Sequence, residues 1–167
     1  MNVPTVDDVV TAIELAFAGV PRGGGITLHE ADAIDKQLSG AERAQVRDLD
    51  TELRWEDVPA ELIARFSCQL AFVDGEGYRY YIPAFMRWVV THYDESRSFT
   101  IDSTIYGLAH VANPGDCPAV RALPLLSAPQ RCAIAKFLLH MSTAAALHAD
   151  AAHAQQALDR FWGRYAD

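Results

Sequence analysis

The chain has 167 residues, 50% apolar and 22% charged, which is the composition of one globular domain. Its 22 acidic residues outnumber 14 Lys and Arg residues, and this net charge of −8 argues against nucleic acids and anionic membranes as partners. No apolar run approaches the ~18 residues of a membrane span, so we expect a single domain over residues 1–167 and no membrane segment.

Helical spacing of apolar residues predicts four helices in the first part of the chain. Their approximate bounds are 5–18, 27–37, 41–53 and 57–68. Thr5 with Asp8, and Thr27 with Glu30, have the spacing of capping boxes at the first two helix starts. The third helix is mostly polar, which predicts that much of it is exposed.

A β-hairpin is predicted next in the chain. The β-prone runs 70–73 and 78–82 flank the sequence Asp74-Gly75-Glu76-Gly77, which has the composition of a turn. Pro83 then favours the start of another helix, up to about Tyr93. Apolar residues cover most of the circumference of this helix, so we expect it at the centre of the core.

The rest of the chain has fewer signals. Residues 102–110 fit a short helix or a strand, and Asn113-Pro114-Gly115 fits a turn. Ser127 and Gln130 have capping-box spacing at the start of a helix to about residue 142, and a last helix is predicted over 149–164. The predicted fold class is therefore α+β, mainly α, with about six helices packed with one short β-hairpin.

The three cysteines, Cys68, Cys117 and Cys132, form no CxxC pair. Neither a structural zinc site nor a redox dithiol is therefore predicted. The N-terminal segment lacks the long apolar core of a signal peptide. Reduced thiols then predict a cytoplasmic location, and no sequence motif indicates a cofactor.

Three segments together resemble a bacterial family of small proteins classed as a domain of unknown function. They are GITLHEAD at 25–32, FVDGEGYRYYIPAFM at 72–86 and the Gln-containing helix at 130–139. The resemblance covers most of the chain and implies a bacterial, cytosolic, single-domain protein. It implies no reaction and assigns no functional residue.

His29, Glu30 and Asp32 are candidate catalytic residues at the start of the second helix. His29 and Asp32 are three positions apart and share a helix face, which suits a metal site or an acid–base pair. The HExxH pattern is incomplete because position 33 is Ala, so no third ligand can be named. Alternatively, Glu30 only caps the helix.

Asp74 and Glu76 are candidate metal ligands at the tip of the predicted hairpin. Their spacing around Gly75 does not match the EF-hand pattern. A turn that needs Gly and polar neighbours explains the same residues, and an exposed tip would also suit a contact with a partner.

The whole excess of acidic over basic residues lies in the first third of the chain. Residues 1–61 contain 13 acidic and 5 basic residues, whereas residues 62–167 contain 9 of each. Trp55 lies within this acidic stretch, and an aromatic residue among carboxylates is typical of a protein interface. The candidate partner-binding residues are Asp48, Asp50, Glu52, Trp55, Glu56, Asp57 and Glu61. Alternatively, Trp55 packs into the core and the acids are a solvated face.

The leading hypothesis is a non-enzymatic domain that binds a basic protein through its acidic N-terminal third, because complementary charge speeds such encounters. An immunity protein that neutralises a basic bacterial toxin is one form of it. A second hypothesis is a metal-dependent hydrolase that uses His29, Glu30 and Asp32 with Asp74 and Glu76. A third is a structural or regulatory homo-oligomer, and the sequence leaves the oligomeric state open.

Overall fold

The computed structural model describes residues 3–112 and 115–166, and all regular structure within these ranges is helical. The α-helices are α1 (Val6–Phe17), α2 (Leu28–Asp35), α3 (Gly40–Arg47), α4 (Ala60–Arg65), α5 (Gly75–His92), α6 (Thr100–Ala109), α7 (Pro118–Ala122), α8 (Ala128–Thr143) and α9 (Ala151–Arg160). Short 3₁₀ helices span Trp55–Asp57, Gln69–Ala71, His110–Ala112, Leu123–Leu125 and Trp162–Tyr165.

The predicted β-hairpin is wrong, and with it the α+β class and the count of about six helices. Residues 78–82 lie inside α5, and Gln69–Ala71 forms a 3₁₀ turn. Asp74 is the N-cap of α5, where its side chain accepts a hydrogen bond of 2.8 Å from the Gly77 N–H. Strand preference of aromatic residues reflects packing more than backbone preference, and a helix buried on all sides offers equivalent packing.

Pro83 lies inside α5 and does not start a helix. Proline removes one hydrogen bond of the helix, which is why it is usually found in the first turn. Here Pro83 is buried among the residues that surround it in the core, and their packing offsets the lost bond.

The three capping boxes are confirmed, at Thr5, Thr27 and Ser127. Helix α3 ends at Arg47, six residues earlier than predicted, and residues 48–54 form an irregular loop. Residues 102–110 belong mainly to helix α6. The predicted turn at Asn113-Pro114-Gly115 lies partly outside the described residues.

Helix α5 is the centre of the fold. It packs against α1, α6 and α7, while α8 packs on α1 and α9. Tyr80, Tyr81, Ile82, Phe85 and Met86 are fully buried, and so are Ile13 and Phe17 of α1. No helix in the described part of the chain is long and apolar enough to cross a membrane.

The loop before α2 lies directly on the first turn of α5. A Cβ atom added to Gly77 would be 2.5 Å from the Ile26 carbonyl oxygen, and one added to Gly25 would be 2.5 Å from the Gly77 nitrogen. Both positions therefore require glycine. This close approach brings residues 22–29 next to the tyrosines of α5 and forms one side of the region that contains the predicted acidic residues.

Candidate functional site

The acidic residues predicted to bind a partner divide into two groups. Asp50, Glu52 and Glu56 bind other residues of the chain through their side chains, whereas Asp48, Asp57 and Glu61 are exposed. The first group holds the loop 48–54 in place. The second group has no ion-pair partner among the residues that the structure describes.

Asp50 anchors the middle of loop 48–54 to the start of α2. Its side chain accepts a hydrogen bond of 3.0 Å from the His29 backbone N–H, and its other oxygen lies 3.0 Å from His29 Nδ1. Asp50 is only 2% exposed. The His29 ring also packs edge-on against Phe66, at 4.9 Å between centroids. The contact between His29 and Asp50 is therefore partly buried and held by packing.

Glu52 anchors the end of the same loop to α5. Its carboxylate accepts a hydrogen bond of 3.2 Å from the Tyr81 hydroxyl, and its backbone carbonyl accepts one of 3.3 Å from Tyr80. Arg22 lies 3.6 Å from the Glu52 carboxylate and donates 3.0 Å to the Asp50 carbonyl. Burial raises the pKa of Glu52, and the nearby Asp50 carboxylate contributes in the same direction.

Trp55 is fully buried and cannot touch a partner directly. Its indole N–H donates a hydrogen bond of 2.9 Å to the Phe17 carbonyl, and the Arg87 guanidinium lies 5.0 Å from the Trp55 ring. Arg87 also donates 2.7 Å to the Glu56 carbonyl. The 3₁₀ turn after the loop is therefore fixed to both α1 and α5.

Two leucines point outward from the loop that these contacts hold. Leu49 is 58% exposed and Leu53 is 88% exposed. They flank the inward-facing Asp50 and Glu52, so the chain alternates between anchoring and exposed side chains. We define the loop surface as exposed residues Asp48, Leu49, Leu53, Asp57 and Glu61.

The candidate catalytic residues of α2 do not share a site. His29 contacts Asp50, Glu30 caps α2 and pairs with Arg47, and Asp32 lies 2.6 Å from Lys36 Nζ. Their side chains thus have three different partners. The capping role of Glu30, which was the alternative interpretation, is confirmed.

The candidate metal ligands Asp74 and Glu76 bind backbone groups. Asp74 accepts hydrogen bonds of 3.0 Å from Ile26 N–H and 2.8 Å from Gly77 N–H, and Glu76 accepts one of 3.2 Å from Gly24 N–H. Within the described ranges, no group of three or more His, Cys, Asp or Glu side chains could hold a metal ion.

Sequence reasoning missed Arg22, Leu49 and Leu53. Arg22 precedes a run of three glycines, a sequence that indicates a flexible loop and not a site. Residues 48–53 were predicted as part of the third helix, which ends at Arg47. The spacing Leu49, Asp50, Glu52, Leu53 could have indicated a loop with polar anchors, but only after the helix end was known.

A family model describes nearly the whole of this chain. It matches residues 5–166 and bears the description "Family of unknown function". No match was found among curated proteins or among solved structures. Because the match covers all helices from α1 to α9, the chain belongs to the family of unknown function DUF6714.

Proposed function

We propose that the protein is a protein-binding domain whose loop surface binds a partner with a basic, partly apolar surface. The observation that carries this proposal is the exposure of Leu49 and Leu53, at 58% and 88%, on a loop anchored by buried polar contacts. An apolar centre with a polar rim is the usual composition of a protein interface.

A fixed loop lowers the entropic cost of binding. Fixing a mobile loop upon association costs free energy, and a loop already held by Asp50, Glu52 and Trp55 avoids much of that cost. Binding loops on a rigid scaffold are common for the same reason. The anchoring contacts therefore support a binding role for the leucines that this loop exposes.

The charge of the loop surface favours a basic partner. Asp48, Asp57 and Glu61 are exposed without ion-pair partners among the described residues, and Arg22, Lys36, Arg47 and Arg54 of the same third are paired with other acids. Exposed carboxylates accelerate the approach of a basic surface. A basic toxin that this protein would neutralise as an immunity protein is one partner of this chemistry.

The test compares the double variant Leu49→Ser/Leu53→Ser with the control Leu147→Ser. Leu147 is 94% exposed and lies far along the chain from the loop, so both variants remove exposed leucines without opening the core. Proteins retained from an extract of the source cells by the wild type, at low and high salt, are identified by mass spectrometry and then titrated as purified proteins.

We expect a basic partner that the control still binds and whose affinity falls on the order of 100-fold in the double variant, because the burial of two leucine side chains at the interface is lost. Binding should weaken at high salt, since exposed charges are screened. Equal affinity of the two variants for the partner would contradict the proposal. If the wild type self-associates and the double variant does not, the partner is a second copy of the chain.

A further inference from the structure

A second region of interest is a cleft that shares no residue with the loop surface. It has a volume of about 380 Å³ and lies between the Gln69–Ala71 turn and helices α5, α6 and α7. Pockets for small molecules commonly have volumes of roughly 300–1,000 Å³. Its apolar lining includes Leu70, Ala71 and Ala119, and Tyr78 lines it from α5.

The Tyr78 hydroxyl is the unusual feature of this cleft. Tyr78 is 2% exposed, and its hydroxyl has no hydrogen-bond partner among the described residues. Buried polar groups are nearly always hydrogen-bonded, so an unpaired one requires an explanation. Phenylalanine would fill the same space without leaving a donor unsatisfied.

The hydroxyl is a donor. Burial strongly raises the pKa of Tyr78, and the neighbouring Cys117 thiol adds to the shift, so the phenol keeps its proton. Cys117 lines the same cleft. A ligand that pairs with this hydroxyl therefore needs a hydrogen-bond acceptor.

Gly107 of α6 lies next to the Tyr78 hydroxyl, which is itself buried. The glycine lies inside α6, where glycine is unfavourable, and it lines the cleft. A Cβ atom at position 107 would be 3.3 Å from the Tyr78 hydroxyl oxygen. An unfavourable glycine and an unpaired hydroxyl thus meet at one point of the cleft.

The charges among the lining residues Asp116 and Arg121 compensate each other. Asp116 accepts two hydrogen bonds from Arg121, of 2.6 Å from Nε and 2.7 Å from Nη2. Each charge of this bidentate pair is therefore compensated by the other. The site combines a mainly apolar lining, the buried Tyr78 hydroxyl and this ion pair, and its other polar lining residues are Ser67, Ser103, Tyr106 and His110.

We propose that this cleft binds a small, uncharged, mainly apolar molecule through a carbonyl oxygen that accepts a hydrogen bond from the Tyr78 hydroxyl. The Tyr78 ring, Leu70 and Ala119 cover the apolar part of the molecule, and because Gly107 has no side chain, a small shift of the Tyr78 ring brings the buried hydroxyl to the carbonyl. The site is independent of the loop surface, because it rests on different residues.

The test uses two probes of similar shape, acetophenone and ethylbenzene, and follows the amide signals of the protein by NMR during titration. Only acetophenone has an acceptor. We expect both to shift the signals of Gly107 and Cys117, and acetophenone to bind about fivefold more tightly, which is the usual effect of one hydrogen bond. Equal affinity of the two probes, or shifts that avoid the cleft, would overturn the proposal.

Two variants and one control assign the preference to the hydroxyl. Tyr78→Phe should fold, since the hydroxyl has no partner to lose among the described residues, and should bind both probes equally. Tyr165→Phe, which removes a hydroxyl elsewhere, should keep the wild-type preference. Gly107→Ala should weaken acetophenone binding, because the new methyl group hinders the shift of the Tyr78 ring that brings the hydroxyl to the carbonyl. A preference that persists in Tyr78→Phe, or wild-type acetophenone affinity in Gly107→Ala, would overturn the assignment.

Discussion

Tyr78 and Tyr81 lie about one turn apart on α5, and their hydroxyl groups have opposite surroundings. The Tyr81 hydroxyl donates to the Glu52 carboxylate and lies 3.5 Å from Arg22 Nη1, at the base of loop 48–54. The Tyr78 hydroxyl faces the cleft side and has no partner among the described residues. Two similar side chains of one helix thus belong to regions built in different ways.

The region around Tyr81 supports a loop, whereas the region around Tyr78 is the proposed binding cleft. Around Tyr81, polar side chains satisfy one another and fix a loop whose exposed leucines are available to a partner. Around Tyr78, the described residues leave a buried donor unpaired, and the neighbouring residue of α6 is a glycine. Unsatisfied buried groups destabilise a protein, so we infer that the second region is completed by a molecule from outside the chain.

The largest effect is expected when the support of the loop is broken at Asp50. Asp50→Ala removes the acceptor of the His29 N–H and of its ring, and both groups are then left partly buried without this partner. We expect the free energy of unfolding to fall by about 3 kcal/mol, measured by urea denaturation. Asp48→Ala, at an exposed neighbour, is the control and should change it by less than about 0.5 kcal/mol. Equal losses in the two variants would show that Asp50 is not an anchor.

The junction of the two regions is tested at Gly77, where α5 meets the loop before α2. Gly77→Ala places a methyl group 2.5 Å from the Ile26 carbonyl oxygen, which forces the backbone apart. We expect a loss of about 2 kcal/mol in thermal or urea unfolding. Gly40→Ala is the matched control, since a Cβ there meets nothing within 4 Å, and it should stabilise the protein by roughly 0.5 kcal/mol. A neutral Gly77→Ala would contradict the close approach.

The tyrosine pair itself gives a smaller and more discriminating effect. Tyr81→Phe should lower the free energy of unfolding by about 1 kcal/mol, because Glu52, whose side chain is only 7% exposed, loses a donor. Tyr78→Phe should be neutral or slightly stabilising, because no bond is lost. Both are measured by urea denaturation under the same conditions. A larger loss of unfolding free energy in Tyr78→Phe than in Tyr81→Phe would contradict this comparison.

The smallest effect concerns pH. Because the pKa of Glu52 is raised in the folded protein, the folded state holds this proton more tightly than the unfolded state does. Stability from Glu52 is therefore fully present below its ordinary pKa of 4.5 and is lost as pH rises through the raised value. Glu52→Gln should flatten this decline by less than about 1 kcal/mol, because Tyr81 and Arg22 lower the pKa of Glu52 and partly offset the effect of burial. An unchanged pH profile of unfolding would refute this role.

Three helix starts could be predicted from the sequence, because a capping box is a local interaction, whereas the start of α5 at the Asp74 cap was not predicted. Thr5, Thr27 and Ser127 each bond a residue three positions away, and all three boxes are present. The state of residues 78–82 could not be predicted in this way. Their aromatic residues favour a strand locally, and they form a helix because α5 is buried on nearly all sides in the folded protein.

The candidate sites were predictable only in part. The acidic stretch was identified, but which of its members face inward depends on Arg22, Tyr80 and Tyr81, which are distant in sequence. The cleft depends on Tyr78, Gly107 and Cys117 meeting through three different helical segments and their flanks. No local pattern contains that information.

Amide hydrogen exchange at His29 tests the fixed loop most directly. His29 lies in the first turn of α2, where N–H groups lack intrahelical acceptors, so its protection depends on the Asp50 carboxylate. We expect slow exchange in the wild type and exchange about 100-fold faster in Asp50→Ala, beyond any change at the Ile13 amide of α1. Exchange of the wild-type His29 amide at the rate of an unstructured peptide would contradict a loop held by buried contacts.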